Sequence, residues 1–436
     1  MLLGFYLENA KAEACTSIIV GCDRTQNGKI LHAHLEDMGI NAAGILWHSP
    51  EQVPREKIID VPYVKIEQPQ TLRSYWAAGN ADNSAGLGIE TTEYAYDNIL
   101  VGINANEVVM SCNWCYSKED NALKSGIRRY AMRQLILERA ASAREGVELL
   151  GEWIDRYGQA DWGGLQFQLS DSNEAWIIET TTIHWIARKI KDDEIFCVAN
   201  RFTIEEDFDL CSEKLISFAA EKGWYDRRNT FNFANAYTLP SRRNSRYDVE
   251  REERIKSLLS GKKVNMENIL DVLEDRYEGT DLFMVPNNEQ EIWESESEEK
   301  NIPRPICTNL AQSFFVAEHS CKEQMNRFIF MIGLGTPGYS GLVPIFHESM
   351  EIDPHFTGQD TSEPSAWKIF RKIQLQTDAE YEKNSATVKE SWRDFNKQTI
   401  IEAEEICSFT VSAAERKKFT YNRSKELICY AKKLLK

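Results

Sequence analysis

No apolar run in the 436 residues approaches the ~18 needed for a helix to cross a bilayer. Positive charge is in deficit: 51 Lys plus Arg stand against 68 Asp plus Glu, a net charge of -17. The first absence argues against a membrane span. The second argues against nucleic acid and anionic membrane surfaces, both of which reward basic patches. The Gly-x-Ser-x-Gly elbow of a serine hydrolase does not occur. Gly333 to Gly341 is rich in glycine but lacks the Lys-Ser/Thr of a phosphate loop and its strand-then-helix setting, so nucleotide binding is not expected there. Histidine is scarce, seven residues in all. Only His32 and His34 share a face of a strand, and no second Cys or His pair completes a zinc site, so neither metal nor cofactor is expected. Cys112-Asn113-Trp114-Cys115 has the spacing of a redox pair without the strand-to-helix context that such a pair needs. No internal repeat is visible.

The ten cysteines are scattered through apolar runs of a chain too long to need stapling, which points to reduced thiols and a cytoplasmic location. Met1 to Leu7 is apolar but short, lacks a basic start, and is followed by Glu8, Asn9 and Lys11, a poor secretory signal. Ala12-Glu13-Ala14 does resemble a signal-peptidase site, so export through a truncated head is the alternative.

What is present centres on Cys15-Thr16-Ser17-Ile18-Ile19-Val20-Gly21. A cysteine that opens a β-rich run after a short head can carry two reactive groups if the Ala14–Cys15 bond is cut. With pKa values of about 7.7–8.0 for an α-amine and about 8.5 for a thiol, the amine can take the thiol proton near neutrality. While the head is attached, that nitrogen is an amide and no base. Asn27-Gly28 then predicts a hairpin that returns His34, Glu36 and Asp37 to the cysteine's end. Further antiparallel pairs are expected at Ile99–Ile103 with Val108–Cys112 and at Leu165–Leu169 with Ala175–Ile178, and a strand at Ile195–Ala199. One amphipathic helix is expected through Met132, Ile136, Ala140, Ala143, Val147, Leu150, Ile154 and Tyr157. Others are expected at Lys214–Lys222, Val249–Leu259 and Asn265–Leu273. The acidic stretch Asn287–Asn301 reads as a solvated loop, and Ile306–Ala317 as strand-like. From Trp367 the chain reads as helical, punctuated near Thr420. Asn113 and Asn200 both read as strand-end residues, where an amide N–H can face a developing oxyanion.

The opening stretch with Gly28 and Glu36-Asp37 resembles the dipeptidase A family, the secernin-related cysteine peptidases of the N-terminal nucleophile (Ntn) superfamily. So do Gly102-Ile103-Asn104-Ala105-Asn106-Glu107, Asp171-Ser172-Asn173-Glu174-Ala175-Trp176, His184-Trp185-Ile186-Ala187-Arg188 and Val198-Ala199-Asn200-Arg201. The resemblance implies an α+β fold, a four-layer αββα sandwich of two stacked antiparallel sheets with a helical C-terminal extension. It divides the chain into a removable head (1–14), a catalytic domain (15–350) and the extension (351–436). It implies Cys15 as nucleophile, Asp37 holding the freed amine, Asn113 and Asn200 on the oxyanion, and Arg246 near the nucleophile. The partner implied is a small peptide, a dipeptide cleaved by an autoprocessed enzyme, with Glu36 and His34 as substrate contacts. A homo-oligomer is compatible with all of this. An Ntn amidase acting on N-acyl compounds and an unprocessed secernin-like binding protein are the alternatives. One departure stands out: where those relatives carry Arg-Asn, this chain has His34-Leu35. An arginine stays charged, whereas a histidine ordinarily titrates near pH 6.5.

Overall fold

In Leu31-His32-Ala33-His34-Leu35-Glu36-Asp37 every second residue is apolar, the period of a strand with two unlike faces. The structure, a computed structural model, makes this a strand buried on both faces. It describes residues 15–38, 43–61, 63–81, 98–119, 125–286, 302–320, 327–358, 363–407 and 411–435. The head and the acidic stretch 287–301 lie outside the described residues. The described strands begin with β1 (Thr16–Val20), β2 (Leu31–Asp37), β3 (Gly44–Ser49), β4 (Ile58–Val61), β5 (Val64–Glu67) and β6 (Tyr75–Asn80). They continue with β7 (Ile99–Asn104), β8 (Val109–Cys115), β9 (Gly164–Ser170), β10 (Ala175–Thr180) and β11 (Trp185–Ile190). The last are β12 (Ile195–Val198), β13 (Leu210–Cys211), β14 (Ala311–Glu318), β15 (Ile329–Leu334) and β16 (Val343–Ile345).

Two large antiparallel sheets result, a six-stranded one in the order β12-β1-β2-β14-β15-β16 and an eight-stranded one in the order β13-β11-β10-β9-β8-β7-β6-β3. Side chains of β1 and β2 meet those of β8 and β9 directly, so the sheets are stacked. Helices α1 (Arg129–Arg139) and α2 (Ala143–Tyr157) cover the outer face of the eight-stranded sheet. After the short α3 (Leu215–Glu221) and α4 (Phe233–Tyr237), α5 (Arg246–Leu259) and α6 (Met266–Leu273) cover the six-stranded sheet. The C-terminal α7 (Ala366–Asp378), α8 (Tyr381–Ile406) and α9 (Ala413–Leu434) join one apolar cluster with β15 and β16. The αββα sandwich expected from the sequence is therefore what the chain forms. No described helix is long and apolar enough to cross a membrane.

Several local expectations change. β1 and β2 pair antiparallel, Ser17 opposite His34, but the connection runs from Gly21 to Ile30 rather than turning tightly at Asn27-Gly28. Gly28 sits in that connection at φ 74°, a conformation that suits glycine. The single helix expected from Met132 to Tyr157 is two, because the Ser142 hydroxyl accepts from the Glu145 N–H and starts a new helix. Ser142-Ala143-Arg144-Glu145 is the pattern of a capping box. The C-terminal break falls before Ser412, which caps α9, and not near Thr420. The Thr420 hydroxyl instead donates to the Pro344 carbonyl at 2.8 Å, fastening α9 to β16. Asn113 lies within β8 rather than after it.

Candidate active site at the start of the first strand

Cys15 stands immediately before β1 and is 2% exposed. Thr16 pairs with Leu35, so Cys15, one residue earlier, comes beside Glu36. Its carbonyl oxygen accepts from Asn113 Nδ2 at 3.2 Å and from Arg251 Nη1 at 3.1 Å. Asn113 Nδ2 also donates to the Ala199 carbonyl at 2.7 Å, while its Oδ1 accepts from the Ser17 hydroxyl at 2.7 Å. Asn200 donates to the Trp114 carbonyl at 2.9 Å and accepts from Arg251 Nη2 at 2.8 Å. Both expected amides are therefore gathered at Cys15. In this arrangement their N–H groups hold backbone carbonyls.

Arg251 also reaches Thr16 Oγ1 at 3.1 Å and Asp248 at 3.2 Å. Arg246, named from the sequence, opens the same helix half-exposed and pairs with Glu250 at 3.0 Å. The arginine against Cys15 is Arg251, and the sequence does carry a signal for it. Tyr247, Ile255 and Leu259 mark a buried stripe at four-residue steps, and Arg251 fills the missing step. An arginine in an apolar stripe needs a buried partner, and here it has Asp248 and Asn200.

His34 and Glu36 share the sheet-facing side of β2. The His34 Nδ1 lies 2.7 Å from Ser17 Oγ, and its Nε2 lies 2.8 Å from Glu36 Oε2. A ring nitrogen of His34, a carboxylate oxygen of Glu36 and Cys15 Sγ all lie within 4.8 Å of one another. The guanidinium of Arg133, projecting from α1, stands 3.6 Å from the other Glu36 oxygen and donates to the Cys112 carbonyl at 3.1 Å. With both ring nitrogens of His34 engaged and a cation already against Glu36, the trio suits proton chemistry better than a divalent metal. Asp37 is buried between Arg304 and the Thr308 hydroxyl, and its backbone N–H hydrogen-bonds to the Cys15 sulfur. Neither Arg133 nor Arg304 was signalled by a motif. Each is brought in by an element distant in sequence.

The charges have a clear sense. Burial, and then the Glu36 and Asp37 carboxylates, push the Cys15 thiol well up, against the pull of the Asp37 N–H and Arg133. Burial pushes Glu36 up, but the Arg133 charge and the His34 hydrogen bond outweigh it and leave Glu36 below the usual carboxylate range. For Asp37 burial wins over Arg304, and its carboxyl is raised. Burial and the two carboxylates thus favour the protonated thiol. Cys112 and Cys115 are free thiols three positions apart on one strand, which places them on opposite faces. Two surface clefts, one lined by Arg188, Glu194 and Asp207 and the other by Lys29, Glu318 and Arg327, do not include Cys15.

The sequence profile described as peptidase family C69 matches residues 14–262 and 254–394. A probable dipeptidase of Latilactobacillus sakei is 25% identical over 386 residues, 79% of this chain and 76% of that protein. A probable dipeptidase of Salmonella dublin is 28% identical over 257 residues, 55% of this chain and 57% of that one. A dipeptidase of Bifidobacterium longum is 30% identical over 229 residues, 47% of this chain and 42% of that one. Among solved structures, penicillin V acylase from Agrobacterium tumefaciens aligns at 15% identity over 76% of this chain and 86% of that chain, with a TM-score of 0.44. The profile begins at the residue before Cys15 and runs through every element that surrounds it: the chain belongs to peptidase family C69.

Proposed function

We propose that this chain is a cysteine dipeptidase that removes its own head and then uses Cys15 as nucleophile and the freed α-amine as base. The observation that carries the reading is the convergence on Cys15: Asn113 and Arg251 on its carbonyl, Asn200 joined to Arg251, and Glu36 and Asp37 beside its thiol. Dipeptides as substrate class come from what the curated relatives are named.

In the mature enzyme the amine takes the thiol proton, the sulfur adds to the scissile carbonyl, and the amine returns the proton to the leaving amino acid. Water then splits the thioester. Asn113 and Asn200 supply N–H groups to the oxyanion, which requires them to give up part of their present hold on carbonyl oxygens. Arg251 takes the place expected of Arg246, fixing the nucleophile's carbonyl. Asp37, aligned by Arg304 and Thr308, keeps its carboxylate beside the amine. The substrate contact expected of His34 and Glu36 gives way to a role around the thiol, because both are hydrogen-bonded within the chain.

Intact mass of the purified full chain and its Cys15→Ala variant tests this. The wild type should lack Met1 to Ala14 and hydrolyse dipeptides in preference to acyl-amides, while the variant keeps the head and is inactive. A wild type that keeps its head, or that cleaves only acyl-amides, sinks the proposal.

A further inference from the structure

We infer that His34 stands beside Cys15 as an imidazolium, a cation fixed by its hydrogen bonds, and that its charge acts on the thiol as a positioning residue acts, without touching the substrate. The protonation state follows from contacts among described residues. Its effect on hydrolysis rests on the dipeptidase reading proposed above.

Ser17 settles the first ring nitrogen. Its hydroxyl oxygen lies 2.7 Å from His34 Nδ1, 2.7 Å from Asn113 Oδ1 and 2.8 Å from Gln168 Oε1. Both amides are oriented by their other ends, since Asn113 Nδ2 donates to the Ala199 carbonyl at 2.7 Å and Gln168 Nε2 to the Gln166 carbonyl at 2.9 Å. Amide oxygens only accept, so the hydroxyl meets two acceptors and one ring nitrogen. Ser111 already donates to Gln168 Oε1 at 2.8 Å, so the single Ser17 proton goes to Asn113 Oδ1. Sent to His34 instead, that proton would leave two amide oxygens against the hydroxyl oxygen with no hydrogen between them. His34 Nδ1 therefore carries a proton and donates it to Ser17.

The second nitrogen also faces an acceptor, Nε2 lying 2.8 Å from Glu36 Oε2. Burial pushes the Glu36 carboxyl up, but the Arg133 charge, 3.6 Å from its other oxygen, is the largest of the effects that outweigh burial and leave it ionised. An ionised carboxylate only accepts, so Nε2 donates too, and a ring with two N–H groups is an imidazolium. His32, two residues earlier on the same face, is served differently. Its Nε2 lies 2.9 Å from Ser111 Oγ, whose proton is taken, but its Nδ1 lies 2.8 Å from Ser170 Oγ, which can donate to it while accepting from His319 Nε2. One proton satisfies that ring, and its burial favours the neutral form. At His34, two cations flank one carboxylate, and the ring, that carboxylate and Cys15 Sγ lie within 4.8 Å of one another. Burial, Glu36 and Asp37 push the thiol up; the His34 charge works with Arg133 against them and favours the thiolate.

The full chain is labelled in its histidine ring nitrogens and the ring N–H signals are recorded by NMR at the pH of the hydrolysis assay. His34→Gln identifies the signals of His34, and circular dichroism checks each fold. Two N–H groups on the His34 ring are expected; a single one overturns the inference. An opposite charge within about 4–6 Å changes an ionised fraction by about 10- to 10³-fold, so kcat on dipeptides should fall on the order of 10-fold or more in His34→Gln. His34→Arg, which keeps a cation, should recover a large part of that loss. If His34→Gln does not fold, His34→Arg identifies the signals and the proton count decides. A folded His34→Gln chain with the wild-type kcat, or a folded His34→Arg chain no more active than His34→Gln, overturns the role of the charge. Two N–H groups in a chain that hydrolyses no dipeptide keep the imidazolium and bring down the dipeptidase reading alone.

Discussion

Strands β2 and β9 each have one face toward a helical layer and one toward the opposite sheet, and the two faces are built from different chemistry. Toward the helices, β2 presents Leu31, Ala33 and Leu35, and β9 presents Leu165, Phe167 and Leu169, all in apolar clusters. Toward each other, β2 presents His32, His34 and Glu36, and β9 presents Gln166, Gln168 and Ser170, all fully or almost fully buried. Hydrogen bonds join them: Ser111 donates to Gln168 Oε1 at 2.8 Å, Ser17 Oγ lies 2.8 Å from the same oxygen, and His32 lies 2.9 Å from Ser111 and 2.8 Å from Ser170. His319 extends the seam at 2.8 Å from Ser170. An apolar contact is non-directional, and each buried Leu or Phe contributes about 1.5–3 kcal/mol. A buried hydrogen bond contributes about 1 kcal/mol net, but it fixes where each group points. The outer faces hold the sandwich together; the seam aims the groups around Cys15.

The most direct way to break this contrast uses two neighbours on β9. Phe167→Ala, on the helix side, should cost about 3–5 kcal/mol of stability through the cavity it leaves, while hydrolysis per folded molecule stays close to normal. Gln168→Leu, on the seam, should cost less, about 1–3 kcal/mol for hydroxyls left unpaired, yet lower hydrolysis more because Ser17 and through it Asn113 lose their anchor. Urea midpoints and dipeptide turnover measured side by side decide it. If Phe167→Ala is the more damaging to turnover, the division of labour is wrong.

The seam also explains which parts of the molecule were legible in the sequence. Leu165-Gln166-Phe167-Gln168-Leu169-Ser170 has the period of a strand, and the paired strands around it were readable from that period. The period does not say whether the polar face meets water or a second polar face. Only the resemblance of the opening residues and later motifs to a known family suggested stacked sheets. Cys15 and Asn200 were readable at strand ends that the meander brings to one place, whereas Asn113, expected at a strand end, stands inside β8 and reaches the Cys15 carbonyl from there. Arg304 and Arg133 were not, since their partners Asp37 and Glu36 lie far away in sequence and no local pattern couples them. Arg246, expected from Ser245-Arg246-Tyr247, opens α5 at the surface, whereas the burial stripe of that helix runs through Arg251.

Acid should act on the seam first. Burial, helped by the Lys29 charge and opposed by Glu107, pushes His319 down to about 4, and burial pushes His32 well below the usual range as well. Between pH 6.5 and about 4 the unfolded chain binds a proton at His319 that the folded chain refuses. Stability is therefore present above that window and lost as pH falls through it, by roughly 3 kcal/mol for this group at about 1.4 kcal/mol per unit. Urea unfolding at pH 7, 5.5 and 4.5 should show a smaller acid loss in His319→Gln than in wild type. Equal losses in the two would place the acid sensitivity elsewhere.

The smallest effect discriminates most sharply between a network and a collection of contacts. Ser111→Ala removes one hydroxyl at the centre of the seam, and alone it should cost about 1 kcal/mol. Combined with Gln168→Leu the two costs should fail to add, with an interaction of about 0.5 kcal/mol or more, because Ser111 donates to the oxygen that Gln168→Leu removes. Combined with Leu150→Ala, whose side chain belongs to the helix-facing cluster on α2, the costs should add to within about 0.5 kcal/mol. Additivity in both pairs would mean that the polar seam is a set of separate hydrogen bonds. In that case Ser111, two hydrogen-bonded steps from His34, could change stability without changing how the ring is held beside Cys15. Coupling in the first pair alone would mean that the seam positions its members jointly, and that the ring beside Cys15 is held by residues on both sheets.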